Sequence, residues 1–148
     1  HVIAQRPDTP QLEIMGRGEL TPPPAIADRV VDLGFVPDED RDTALAAAAL
    51  LVNPSRLESL GMVVLEAWLA GTPCVVNGGS PVLREHCRAS GGGLPYRTPD
   101  EFVEAIQMLL DDPELRRRMA CDGAAYVRET YSWARVRERL LGALEEWS

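Results

Sequence analysis

The 148-residue chain contains no lysine; all fifteen of its basic residues are arginine. That absence removes Schiff-base chemistry, a P-loop lysine and pyridoxal-phosphate chemistry from consideration. Histidine is scarce, with only His1 and His86, so a histidine-based metal site is not expected. The three cysteines, Cys74, Cys87 and Cys121, form neither an even set nor a C-x-x-C. A disulfide framework or zinc ribbon is therefore not expected, and a reducing, cytoplasmic compartment is. Long hydrophobic runs are missing too. The longest uncharged stretch, residues 67–83, is interrupted by Gly71, Pro73, Gly78, Gly79 and Pro81 and cannot form a spanning helix. No signal-peptide pattern opens the chain, and nothing in it indicates membrane association. A net charge of −8 makes nucleic acid an unfavourable partner, because phosphate backbones are repelled.

What is present is the balance of one globular domain, with 45% hydrophobic and 26% charged residues. Strand and helix signals alternate. Leu12–Met15 is a short apolar strand ending in Gly16-Arg17-Gly18, and residues 30–36 form a second. Residues 38–48 read as a helix with Asp38 as N-cap, acids in the first turn and alanines after them. Residues 50–53 form a buried strand stopped by Pro54, and a loop leads to the apolar helix 61–70. Cys74–Asn77 is a strand, 81–88 a helix and 94–96 a last short strand. Thr98-Pro99-Asp100-Glu101 is a capping box with proline at the first helical position. Asp112-Pro113 starts a second helix, which Gly123 is expected to interrupt. Ser132 caps a third, with Trp133, Val136, Leu140 and Leu144 on one face. Alternation of this kind predicts an α/β domain, a doubly wound parallel sheet covered on both faces, followed by a helical C-terminal segment. A flavodoxin-like receiver fits the pattern but not the residues: its strand-end acid is replaced here by Asn53-Pro54-Ser55, and lysine is absent.

Ligands of such sheets bind beyond the carboxyl ends of the strands. Three of those ends are rich in small residues: 16–18, 53–61 and 77–80. Gly16-Arg17-Gly18 lacks the third glycine of a dinucleotide fingerprint and reads as a tight turn. Residues 61–71, GMVVLEAWLAG, are apolar enough for a helix buried nearly all round, and they carry one charge, Glu66. A buried carboxylate needs a partner. Two readings stand side by side: Glu66 reaches solvent or an arginine such as Arg56, or it accepts hydrogen bonds from adjacent hydroxyls of a ribose. The unpaired N–H groups of the first turn, Gly61, Met62 and Val63, favour an anion such as a diphosphate. Glu58, in the preceding loop, either complements the helix dipole or contacts a sugar beyond that diphosphate.

Glu58 and Glu66, with seven residues between them within NPSRLESLGMVVLEA, resemble the E-x7-E signature of glycosyltransferase family 4, the retaining "group 1" enzymes of GT-B fold. Gly71-Thr72-Pro73-Cys74-Val75-Val76 is similar to that family's small-Thr-Pro-Val-Val segment. Gly78-Gly79 with Glu85, Leu33-Gly34-Phe35-Val36 and Tyr131-Ser132-Trp133 resemble further segments, so the likeness runs over residues 11–147. The resemblance implies a nucleoside-diphosphate-sugar donor held by this half of the enzyme. Glu66 would take the ribose and the Gly61–Met62–Val63 amides the diphosphate. Glu58 would be the catalytic residue at the donor sugar, and Val36 and Arg41 would lie at the base. It also implies that no metal or other cofactor is required. The acceptor would be held mainly by an N-terminal domain outside these 148 residues, and the family's first strand-helix unit is likewise not represented. The chain is thus expected to be part of a longer hexosyltransferase and inactive alone. A nucleotide-sugar epimerase of related architecture and a non-catalytic nucleotide-sugar-binding module are the competing readings. Blander roles fall to Cys74 and Trp68 in the core, His86 as a structural residue and Arg116-Arg117-Arg118 on a solvated helix face.

Overall fold

The computed structural model describes residue 6 and residues 9–146. Five strands alternate with helices: β1 (Leu12–Met15), a 3-10 helix (Pro24–Arg29), β2 (Val30–Gly34), α1 (Asp38–Ala47), β3 (Leu51–Asn53), α2 (Met62–Leu69), β4 (Cys74–Asn77), α3 (Pro81–Ser90) and β5 (Gly93–Tyr96). Three helices close the chain: α4 (Pro99–Asp111), α5 (Pro113–Tyr131) and α6 (Trp133–Glu146).

All strand pairings among the described residues are parallel, but they fall into two sheets, β1-β2 and β3-β4-β5, where one was expected. No described strand carries the ladder from one to the other. In the second sheet Leu51 stands opposite Cys74 and Cys74 opposite Gly93, so the three strands end nearly level. Strand alternation then sorts the core. Cys74 and Val76 face a cluster with Val64, Trp68, Leu83 and Cys87 from α2 and α3, while Val75 faces Ala105, Leu109 and Met119 from α4 and α5. That sheet is therefore covered on both faces, as the alternating pattern predicts.

Local differences from expectation have local causes. β2 stops at Gly34 because that residue turns the chain with φ of 61°; Phe35 leaves the sheet, 66% exposed, under the guanidinium of Arg17. Pro37, not Asp38, precedes α1, and Asp38 uses its carboxylate on Arg41 instead of a cap. The α2 helix is buried on one side only: Val64, Leu65, Ala67 and Trp68 are covered, while Met62 and Leu69 are exposed. Gly123 does not interrupt α5 but lets it approach Trp68, since a Cβ there would lie 2.4 Å from Trp68 Cγ. Close beside Gly123, Gly92 accepts the Trp68 Nε1–H at 2.8 Å through its carbonyl. The predicted capping box of α4 forms in full. Arg116 is not on a solvated face: it donates to Leu110 O at 3.0 Å and caps the end of α4. The apolar residues of α6 are open to solvent: Trp133 is 88% exposed, and Val136 and Leu140 are exposed with it.

Candidate functional site at the carboxyl end of β3

Asn53, the last residue of β3, is buried and organises the loop beyond the strand. Its Oδ1 accepts from the Ser55 N–H at 3.0 Å, the local bond by which an asparagine turns a chain, and its Nδ2 reaches Glu58 Oε1 at 3.5 Å. Glu58 is thereby held half-buried at the strand end.

The loop closes on Gly61, the N-cap of α2, with φ of 71° and ψ of 48°. Glycine is required there twice over: the left-handed region penalises any Cβ, and a Cβ would come within 2.5 Å of Leu83 Cδ2. The preceding carbonyl, Leu60 O, accepts a hydrogen bond from His86 Nε2 at 2.9 Å, which leaves Nδ1 to accept from the Tyr126 hydroxyl at 3.1 Å. His86 is thus structural, as expected, and it fixes the peptide entering α2. Tyr126 in turn is pushed up to about 12, chiefly by burial. Gly61 O accepts from Val64 N at 2.9 Å, so the amides of Gly61, Met62 and Val63 precede the first helical bond and form the positive end of α2.

One turn further on stands Glu66. Its partner is Arg41 of α1, not Arg56. Arg41 Nη2 donates to Glu66 Oε1 at 3.2 Å, Arg41 Nε lies 3.2 Å from Oε2, and Arg41 Nη1 donates to Asp38 Oδ1 at 2.9 Å. The Nε contact is an ion pair with poor alignment, so this buried N–H has no hydrogen bond. Both side chains remain about a quarter exposed, at 28% and 26%, and the Glu66 carboxylate keeps lone pairs for further donors. Val36, half-buried, lies on the same β2–α1 connection that delivers Arg41. Glu66 and Arg41, assigned separately from the sequence, are therefore in direct contact. Glu58 and Gly61 share the loop leading into the Glu66 helix.

A second feature opens at the ends of β3, β4 and β5. Arg56, Asn77, Gly78, Gly79, Arg84 and Arg97 line a polar cleft of about 370 Å³. The sequence draws attention to residues 77–80 as a strand end of small residues but not to Arg84 and Arg97, whose convergence depends on α3 and β5 being placed beside it. Glu85, part of the Gly-Gly…Glu resemblance, is engaged by Arg88 at 2.6 Å, which with the nearby charge of Arg84 holds its carboxyl below the usual range. A larger concavity of about 540 Å³ runs over α6 beside Trp133, Val136 and Leu140, away from every strand end.

The family assignment rests on the chain as a whole. Residues 1–112 match the family model for glycosyl transferases group 1. The chain belongs to that family. It is 36% identical over 146 residues to an alpha-D-kanosaminyltransferase of Streptomyces kanamyceticus, covering 95% of this chain and 35% of that protein. It is 34% identical to a GDP-mannose-dependent monoacylated alpha-(1-6)-phosphatidylinositol monomannoside mannosyltransferase of Corynebacterium glutamicum, covering 97% of this chain and 41% of that one. Its fold superposes on sucrose-phosphate synthase of Thermosynechococcus elongatus with a TM-score of 0.79 at 25% identity, over 99% of this chain and 41% of that one. The same fold is seen in Anabaena HepE, crystallised with UDP and glucose, with a TM-score of 0.80 at 20% identity over 98% of this chain. This group 1 glycosyl transferase chain thus corresponds to the C-terminal part of GT-B enzymes and spans about two fifths of the length of those relatives.

Proposed function

We propose that the chain is the donor-binding part of a retaining glycosyltransferase, which moves a sugar from a nucleoside diphosphate to an acceptor held mainly by a further domain. The observation that carries this reading is the arrangement around Gly61. A left-handed glycine opens α2, Glu58 precedes it in the loop from β3, and Glu66 stands one turn into the helix beside Arg41. A diphosphate at the amides of Gly61, Met62 and Val63 meets the positive end of the helix. A ribose one turn deeper meets Glu66, whose second lone pairs accept its two hydroxyls while Arg41 holds the carboxylate in place. Val36 and Arg41 then border the base, and Glu58 contacts the donor sugar near the reacting carbon.

In such a transfer the bond from the anomeric carbon to the diphosphate breaks, and the acceptor oxygen takes its place while its proton passes to the departing diphosphate. The developing negative charge falls on the diphosphate oxygen, where the helix amides act. The Glu58 carboxylate, held by Asn53, is placed to favour positive charge growing on the sugar ring. No metal enters this scheme. The likeness to HepE, crystallised with UDP and glucose, and the name of the GDP-mannose-dependent relative support a nucleotide-sugar donor. The break between the β1-β2 and β3-β4-β5 sheets supports a longer working unit.

Calorimetry of the chain against UDP, GDP and ADP tests donor binding: one should bind, and Glu66→Gln should weaken it at least tenfold. Binding unchanged by that substitution would overturn the assignment of Glu66. In the full-length enzyme, release of free nucleoside diphosphate should require an acceptor; isomerised sugar without an acceptor would replace transfer by epimerisation.

A further inference from the structure

The cleft at residues 77–79 is not used by the donor scheme, and its construction is specific. The Gly78-Gly79 turn is bonded on all sides. Gly78 N donates to Tyr96 O at 2.7 Å, Gly79 N to Asn77 Oδ1 at 2.9 Å, Asn77 Nδ2 to Pro54 O at 3.0 Å and Arg84 Nη1 to Gly78 O at 2.9 Å. The ends of β3, β4 and β5 are thereby tied together, and three arginines meet over them, Arg56 and Arg97 from connections and Arg84 from α3. Arg56 and Arg97 pack on the two glycines: a Cβ on Gly79 would lie 3.4 Å from Arg56 Nε, and one on Gly78 3.3 Å from Arg97 Cγ.

Among the described residues no carboxylate forms an ion pair with Arg56, Arg84 or Arg97. The acids closest in sequence are engaged elsewhere. Glu58 Oε1 accepts from Asn53 Nδ2, Glu85 feels the charge of Arg84 but is hydrogen-bonded by Arg88, and Glu101 Oε2 accepts the backbone N–H of Arg97 and Thr98. Acids outnumber bases 23 to 15 in this chain, so three converging cations that no described carboxylate bridges are not a consequence of composition. Like charges gathered in this way repel one another, and an anion between them relieves that repulsion. Guanidinium groups grip tetrahedral oxyanions through paired N–H donors, which favours a phosphate over a single carboxylate.

We infer that the Arg56–Arg84–Arg97 cleft is a phosphate-binding site, distinct from the Glu66 pocket, for a phosphate monoester or diphosphate group. Two molecules can bring that group: the donor, through its diphosphate, or a phosphorylated acceptor.

The test uses inorganic phosphate as the probe on the whole chain, with amide resonances of Asn77, Gly78 and Gly79 tracked by NMR at low ionic strength. Those resonances should shift with a dissociation constant on the order of 1 mM. The double variant Arg56→Gln/Arg97→Gln should raise it about tenfold or more. Both side chains are exposed, so an unchanged thermal melt is expected of that variant. The charge-matched variant Arg118→Gln/Arg128→Gln, remote on α5, should leave it unaltered. Absence of shifts at residues 77–79, or equal weakening by both double variants, would overturn the site. Nucleoside diphosphate titrated into the same proteins separates the sources. Affinity falling with Arg56 and Arg97 assigns the site to the donor diphosphate; affinity unchanged assigns it to a phosphate on the acceptor. Phosphate binding at the cleft without any nucleoside diphosphate binding would leave this site standing and remove the donor reading instead.

Discussion

Arg41 on α1 meets Glu66 on α2 through two contacts of 3.2 Å, one hydrogen-bonded and one not, and this pair joins the helix after β2, in the first sheet, to the helix after β3, in the second. The pair is only partly desolvated, so its worth to stability is modest, on the order of 1 kcal/mol. Its value in the proposed function is positional.

Arg41→Ala should therefore cost about 1 kcal/mol or less in urea unfolding. It should weaken nucleoside diphosphate binding more than that figure alone suggests, because the Glu66 carboxylate loses its orientation. Arg41→Lys restores charge but not the side-on geometry, and it should recover stability better than affinity. Equal recovery of both would show that charge alone matters.

Gly61→Ala should destabilise the fold by about 1–3 kcal/mol, from the positive φ and from the clash with Leu83. In a Leu83→Ala background the clash is removed while the backbone cost stays. A double-mutant cycle should then show favourable coupling between the two sites. Zero coupling would mean that Leu83 does not press on this turn.

At Gly123 two effects oppose each other. Alanine in mid-helix gains about 1 kcal/mol of helix propensity over glycine. A Cβ 2.4 Å from Trp68 Cγ overpacks a fully buried indole, a cost of about 1–3 kcal/mol. Overpacking should win because Trp68 has no exposed surface and its Nε1–H is tied to Gly92 O, so the ring has nowhere to move. Gly123→Ala should lower the melting temperature and change the near-ultraviolet circular dichroism of Trp68.

Alkaline pH should unfold the chain through its buried thiols. Burial pushes Cys87 up to about 12 from an ordinary value of 9.0, and Cys74 is raised well above its own by burial first and by Cys87 second. The folded state thus keeps protons that the unfolded state releases. The stabilisation is complete below about pH 9 and is lost as pH rises toward 12. Cys87→Ala should flatten the fall of the urea midpoint across that window. At neutral pH an alkylating reagent should modify exposed Cys121 first and leave both buried thiols intact while the chain is folded.

How far the sequence can be read depends on the range of each interaction. Cys74–Asn77 and the Thr98 capping box appear where expected because each is set by residues within one strand or one turn. Gly34 ends β2 two residues early because a single positive φ outweighs the apolar pattern around it. Gly123 reads as a break in the sequence, yet its reason lies in Trp68, on another helix. The apolar spacing of α6 is legible, but its exposure is not, because periodicity reports amphipathicity and not what covers the apolar side. Glu58 and Glu66 are legible through their spacing, and His86 as structural, but the cleft of Arg56, Arg84 and Arg97 is not.

Order along the chain, strand alternation and the glycine before α2 were determined by local sequence, since backbone sterics and side-chain periodicity act over a few residues. Which arginine answers Glu66, and which three gather at the Gly78-Gly79 turn, were decided only by packing. Candidate partners lie far apart in sequence, and only the docking of α1 on α2 and of β5 beside β4 brings their charges within range.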